Sequence, residues 1–402
     1  MAIYAIRRLV AMIPALLGII LITFALMHLA PGGPFDSEKK SPATLAAVER
    51  AYHLDDPLWP SFYGEGADAW RMGIGLVSIA LIVGGAALLY LRRQRRGVRL
   101  STVKRATGLR AILTWQLLAR LMIVVGAVGA FWWMLMSIQG PITKLEGSGF
   151  VPGQFLNLLW NLSHGDLGPS FNQPLFTVTD IILPAAVNSL ILGTAAFLLL
   201  VLMAVPLGII AAVKQNTWID YLVSAVSLVG YSVPNFVLGV VLSLILGLWL
   251  GWLPIAGWGA PQYLILPAFV LAIRPMSVLM RLTRASMLEI LNQDFIRTAR
   301  AKGLRGRVVL IRHAMRNCLL PIVTVMGDQF GDLVTGSLVV ETLFQVNGIG
   351  QKFVESVGQR DYGIIMGTTI FYATLVLSIN LLVDLLYGVI DPRVRLGAGA
   401  RS

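Results

Sequence analysis

Eight stretches of this chain stay largely apolar for twenty residues or more: 9–30, 72–91, 117–138, 184–212, 221–250, 263–284, 317–340 and 363–388. No other feature constrains the fold as strongly. A helix rises about 1.5 Å per residue, so roughly twenty apolar residues cross the hydrocarbon core of a bilayer. In that medium every backbone N–H and C=O must be satisfied internally, which favours helices. The expected fold class is all-α, a polytopic membrane helix bundle of about eight transmembrane helices. Composition agrees. Only 13% of residues are charged and 56% are apolar, about half the charge of a soluble domain.

Lys and Arg in the short loops orient the spans. Arg7 and Arg8 place the N-terminus inside. The loop 92–110, RRQRRGVRLSTVKRATGLR, has eight basic residues and no acid, and is expected inside. The loop 31–71 has seven acids against four basic residues and is expected outside. The loop 285–316 and the tail DPRVRLGAGARS are basic and inside. An even number of helices makes these assignments agree. The apolar run after Arg7 and Arg8 is too long for a signal-peptide core, and an uncleaved first helix is expected. A twin-Arg export signal is the weaker alternative. The net charge of +12 sits beside apolar runs. It therefore points to anionic lipid and topology, with no nucleic-acid partner. The single cysteine, Cys318, and four scattered His give no disulfide and no metal-ligand spacing.

Pro206, Pro234 and Pro275 fall within spans, where the freed carbonyls need neighbours to satisfy them. Gly327 with Gly331, and Gly363 with Gly367, form small-xxx-small pairs suited to close helix contact. Between the sixth and seventh spans lies a strongly basic segment, QDFIRTARAKGLRGRVVLIRHAMRNCLLP, from Gln293 to Pro321. Its first part has good helix formers and a stop at Gly303. Arg300 and Lys302 lie in the last turn, where they complement the helix dipole. LRGR reads as a turn, and VVLIRHAMRN restarts a helix leading through Pro321. Anionic lipid would need only the charge. Two short helices of defined length, with Ala299 and Ala301 expected to face outward, suit docking into a protein groove.

This segment resembles the cytoplasmic "EAA" loop of ABC-type import permeases, and more narrowly that of the dipeptide/oligopeptide/nickel permease family. The triplet position is Arg297-Thr298-Ala299, the glycine is Gly303, and Leu320-Pro321 closes the pattern. The first Glu and first Ala of the general motif are absent, but RTARAKGL is the form usual in this subfamily. IRRLV…HLAPGGP, LTRASMLEIL, VVETLF…GIG, RDYGIIMG and NLLVDLLYGVIDPRVR extend the resemblance over about 1–59 and 154–396. It implies a permease subunit of a bacterial-type inner membrane, multi-pass, with both termini cytoplasmic. It implies four kinds of partner: a second homologous permease, two cytoplasmic ABC ATPase subunits, an extracytoplasmic solute-binding protein, and lipid. It also implies an ATPase-coupling role for Asp294, Arg297, Thr298, Ala299, Arg300, Ala301, Lys302, Gly303 and Leu304. The chain has no G-x-x-x-x-G-K-[ST]. ATP and Mg are therefore expected on the partner ATPases, and no cofactor, metal or catalytic residue in this chain.

The resemblance implies the following organisation. Residues 1–59 are an N-terminal membrane helix and the start of an outer loop. Residues 60–153 are an inserted two-helix membrane hairpin with a basic cytoplasmic loop. Residues 154–396 are the permease core, with its coupling loop at 285–316, and 397–402 are a cytoplasmic tail. The family runs from LDDPLW directly into FLNLLWNLSHGDLGPSF, so the span from Pro60 to Gly153 is an addition. Two added spans keep the sidedness of everything downstream. Arg274, near the middle of the sixth span, and Asp328 and Asp332, four apart in the seventh, are candidates for the translocation path. A lone charge at mid-bilayer costs about 2.5–3.5 kcal/mol on insertion scales. They either pair with one another or face water and solute. A stand-alone ion-coupled secondary transporter built on the same three residues is the alternative, though no inverted repeat is visible. No motif of a membrane enzyme is present.

Overall fold

The computed structural model describes residues 2–29, 58, 61–63, 67–95, parts of 122–133, 149–151, 153–173 and 175–390. The helices are α1 (Ala2–Leu29), α2 (Ala67–Arg95), α3 (Gly153–Ser163), α4 (Val178–Val213), α5 (Trp218–Ser232), α6 (Asn235–Leu242), α7 (Pro261–Leu291), α8 (Asp294–Ala301), α9 (Gly306–Val308), α10 (Met315–Val334), α11 (Leu338–Phe344), α12 (Ile349–Gln359) and α13 (Tyr362–Ile390). The fold is all-α, a polytopic helix bundle. Two three-residue strands, β1 (Ser61–Tyr63) and β2 (Gly149–Val151), were not expected from the sequence.

The chain divides into two compact units, Met1–Ser37 with Leu167–Ser402, and Glu38–Asp166. In the smaller unit β1 pairs antiparallel with β2, Ser61 opposite Val151. The Phe155 N–H donates to the Leu58 carbonyl at 3.0 Å. The chain therefore leaves at 61 and returns at 151 at one point. Within that excursion α2 packs closely on helical residues near 126–129. A Cβ on Gly126 would stand 2.7 Å from the Ser78 carbonyl.

In the larger unit α4 is central. It is 36 residues long, about 54 Å at the helical rise. Thr177 and Asp180 cap it reciprocally: the Thr177 hydroxyl accepts from the Asp180 N–H at 3.2 Å, and the Asp180 carboxylate accepts from the Thr177 N–H at 3.1 Å. Its buried seam runs at steps of three or four residues through Ala185, Ser189, Gly193, Ala196, Leu200, Ala204 and Gly208, all small but Leu200. Small side chains let backbones approach where hydrophobic driving force is weak. A Cβ on Gly208 would lie 2.7 Å from the Met280 carbonyl of α7. Gly193 meets the Leu333 carbonyl of α10 in the same way. Gly363 and Gly367, expected as a contact pair, both face neighbours of that kind: Gly363 meets the Pro169 carbonyl and Gly367 meets Val178 of α4. At the end of α1, the His28 ring lies 5.4 Å from that of Tyr362, where α13 begins.

Among the described residues four helices are long and apolar enough to cross a membrane: Arg8–His28, Val178–Val213, Pro261–Leu291 and Tyr362–Val383. Two bent pairs raise that to six. The span expected at 72–91 falls in α2, whose described apolar part is Gly73–Ala87. The one expected at 117–138 lies mostly outside the described residues. The span expected at 221–250 is not one helix. It turns by 110° between Ser232 and Asn235. Val233 is extended, at φ −87° and ψ 129°, because the ring of Pro234 disfavours helical backbone in the residue before it. Pro206 and Pro275 leave their helices unbroken. The span expected at 317–340 ends earlier, at Val334, and a separate helix starts at Leu338.

Candidate functional site

The basic segment folds as a short amphipathic helix rooted in the bundle. Ile296 and Ala299 of α8 are buried in the same apolar cluster as Met287 and Ile290 of α7 and Val309, Ala314 and Cys318 beyond the turn. Asp294, Arg297, Thr298, Arg300, Ala301, Lys302, Gly303 and Leu304 are exposed. Apolar Phe295, Leu304, Val308 and Ile311 are exposed among them. A surface that mixes basic and large apolar side chains suits a protein partner better than water alone. The Arg297–Asp294 ion pair, 3.6 Å apart and highly exposed, contributes little. Ala299 does not face outward as expected. Residues two apart on a helix point to nearly opposite sides, so Ala299 shares its face with Ile296, three before it, and Ala301 alone is exposed.

The stop at Gly303 is real and has a defined geometry. The Gly303 N–H donates to the Arg300 carbonyl at 3.0 Å, and the Leu304 N–H to the Ala299 carbonyl at 3.4 Å. This is the double bond pattern of a Schellman cap, with Gly303 left-handed at φ +75°. A Cβ there would meet nothing within 4 Å. The requirement for glycine is therefore one of backbone conformation alone. The chain restarts at Gly306 and passes through a π-helical turn, Val309–Ala314, before α10.

Two polar stripes run along helices of the core. On α10 the exposed residues among those described are Arg316 in its first turn and then Asn317, Pro321, Thr324, Asp328 and Asp332, these five at helical spacing. The structure thus brings Asp328 and Asp332 onto one exposed face, as their spacing implied. On α7, beyond its first turns, exposure is confined to Arg274, Arg281, Ala285 and Glu289, again one line. On α1 and α4, by contrast, the exposed large side chains are almost all Leu, Val and Ile. Among the ion pairs of the described residues Arg274 has no acid partner. Its guanidinium carbon lies 5.6 Å from the centroid of the Tyr231 ring.

Three buried carboxylates tie the bundle together, and sequence reading did not single them out. Asp220 of α5 takes a two-pronged ion pair from Arg284 of α7: Nε to Oδ1 at 2.5 Å and Nη2 to Oδ2 at 2.8 Å. It also accepts from the Asn216 N–H at 3.1 Å. Glu341 of α11, fully buried, accepts from the Ser189 hydroxyl of α4 at 3.0 Å and from the Gly350 N–H of α12 at 2.8 Å. Gly336, Gly348 and Gly350 leave the room its carboxylate occupies. Burial pushes the Glu341 carboxyl above the ordinary carboxylate range, against the pull of these donors. Asp361, also fully buried, accepts from the Ser170 hydroxyl at 2.6 Å and the Asn172 N–H at 3.1 Å, and caps α13 through the Ile364 N–H at 3.1 Å. Glu341 and Asp361 stand in VVETLF…GIG and RDYGIIMG. Those motifs were visible, but nothing local shows that their acids reach α4 and the 170–172 loop.

Residues 204–396, which hold the coupling segment, both polar stripes and all three carboxylates, match the family described as "Binding-protein-dependent transport system inner membrane component". The chain is similar to the dipeptide transport system permease protein DppB of Bacillus subtilis, 41% identical over 243 residues, 60% of this chain and 79% of that protein. It is 33% identical to the oligopeptide transport system permease protein OppB of Salmonella typhimurium over 395 residues, 98% of this chain and 99% of that one. The oligopeptide transport system permease protein AppB of Bacillus subtilis is 40% identical over 251 residues, 60% of this chain and 79% of its own.

Proposed function

The chain belongs to the family of binding-protein-dependent transport-system inner-membrane components, and from that premise we propose that it is the permease subunit of an ATP-driven importer, forming half of a path for peptides or a related small solute. One observation carries this reading most directly. A short basic helix, α8, shows an exposed basic and apolar face while its other face is rooted in the core of the bundle through Ile296 and Ala299. A partner that moves α8 moves α7 and α10 with it, because they share one packed cluster and packed interiors transmit displacement. The partners in this reading are two ABC ATPases that hold ATP and Mg, a second permease of the same kind, and an external solute-binding protein. The polar stripes of α7 and α10 line the path, since such residues face a bundle interior or a water-filled cavity and not lipid. The termini and the loops 92–110 and 285–316 face the cytoplasm. Residues 60–153 are an inserted membrane hairpin. The closing of the 61–151 excursion on itself supports this, because an insertion whose ends meet disturbs its host little.

The test is reconstitution of the chain with its partner permease and ATPases in proteoliposomes that also receive the binding protein. Uptake of a labelled peptide should require ATP and the binding protein together. Uptake driven by an ion gradient without ATP would replace this reading with a secondary transporter. Sidedness has its own test. A cysteine at Ser101 in a Cys318→Ser background should resist a membrane-impermeant thiol reagent in intact cells, since loop 92–110 is strongly basic. Ready labelling there would place the loop outside.

A further inference from the structure

We propose that Arg274 and Arg281, held on the Tyr231 ring, form a binding station for the carboxylate of the transported solute. The inference rests on the importer reading above and adds to it the chemistry of what passes. Arg274 and Arg281 are seven apart on α7, so they occupy one face two turns apart. Both lean on the same tyrosine, with guanidinium carbons 5.6 Å and 4.6 Å from its ring centroid. The two charges therefore lie within about 10 Å of each other, close enough to act on one anion.

The contrast with Arg284, one turn further along, decides the matter. Arg284 has its own acid, Asp220, in a two-pronged pair. Among the described residues no carboxylate of this chain forms an ion pair with Arg274 or Arg281. Arg274 stands near the middle of its span and Arg281 near the inner end, and a tyrosine face offsets only part of the cost of a charge at the first position beside a like charge at the second, so an anion from outside the chain is expected there. Lipid is the less suitable source. Beyond its first turns α7 is buried by its neighbours except along the line that holds these arginines, whereas the large apolar side chains exposed on α1 and α4 are almost all Leu, Val and Ile, as a lipid-facing surface requires. An arginine fork recognises a carboxylate through paired charge-assisted hydrogen bonds, and two forks can pass one along a path. Tyr231 stands two residues before the Val233–Pro234 break. Its ring is thus carried where α5 ends, and a change of that bend would loosen or tighten the station. A peptide with a free C-terminus is a solute of the required chemistry.

The experiment uses the complete transporter in proteoliposomes, with labelled trialanine and its C-terminal amide as probes. The variants are Arg274→Gln with Arg281→Gln, and Arg274→Lys with Arg281→Lys. The glutamine pair should move at least tenfold less trialanine per ATP hydrolysed, while ATP hydrolysis stimulated by the binding protein stays near normal. The ratio of trialanine to amide transport should fall with it, and the lysine pair should restore most of both. Unchanged uptake per ATP would overturn the proposal and assign the arginines to lipid or to the partner permease. So would loss of assembled complex in the glutamine pair, because that marks a packing role. If the unaltered transporter moves no peptide with ATP, the importer reading fails first and the proposal falls with it.

Discussion

Replacing Asp220 by alanine is expected to destabilise the bundle by about 3 kcal/mol, the low end of the range for removing one partner of a buried ion pair. The Asp220 side chain is 3% exposed and that of Arg284 30%, so Arg284 can recover part of its hydration and the upper end is not reached. The loss has two parts. Arg284 is left charged without its acid, and the Asn216 N–H before α5 loses its acceptor. α5 then keeps to α7 only weaker ties, the Ser227 hydroxyl to the Met280 sulfur at 3.7 Å and the Tyr231 ring under Arg274 and Arg281, besides apolar packing. Measured by thermal or detergent-induced unfolding of the purified permease, the midpoint should fall clearly. Asp220→Asn with Arg284→Met should recover much of it, since no unpaired charge remains. Equal loss in the single and double variants would show that the pair contributes nothing specific.

The second large effect is on coupling. Gly303→Val should leave the permease in the membrane in normal amount, yet lower binding-protein-stimulated ATP hydrolysis and uptake at least tenfold. The stability cost of a side chain in the left-handed cap is about 1–2 kcal/mol, too little to keep the permease from the membrane. A β-branched residue is strongly disfavoured at φ +75°, however, and the Schellman pair it breaks sets the direction in which the chain leaves α8. Gly306→Ala is the control. Gly306 is not left-handed and a Cβ there meets nothing within 4 Å. It should couple normally. If Gly303→Val couples as well as Gly306→Ala does, α8 is a topological anchor and not the point where ATPase motion enters.

Some of this was legible in the residues. Apolar runs, basic loops and the Gly303 stop are local signals. They placed α1, α4, α7 and α13, and they located the end of α8, because hydration of apolar surface and backbone preference act within a few turns. The four-residue spacing of Asp328 and Asp332 put them on one face, and the structure has them so. Where local signals competed, the sequence was ambiguous. Three prolines inside apolar runs look alike. Pro234 breaks its span and Pro206 and Pro275 do not, since helices packed on α4 and α7 hold them straight. Ala299 was misplaced because the inner face of a short polar helix is defined by what lies beneath it.

The sequence by itself determined the medium, the class of fold and the position of the basic element between α7 and α10. These follow from transfer free energies and helix caps, which depend on neighbours in the chain. Only the tertiary structure decided which charges have partners. Asp220 meets Arg284 across 64 residues, Glu341 meets Ser189 across 152, and Asp361 meets Ser170 across 191. No periodicity encodes such distances, because a buried carboxylate is satisfied by whichever donors the packed helices bring within about 3 Å. Among the described residues the same packing left Arg274 and Arg281 without an acid in an ion pair. Whether a charge in this protein braces the bundle depends on the helix opposite.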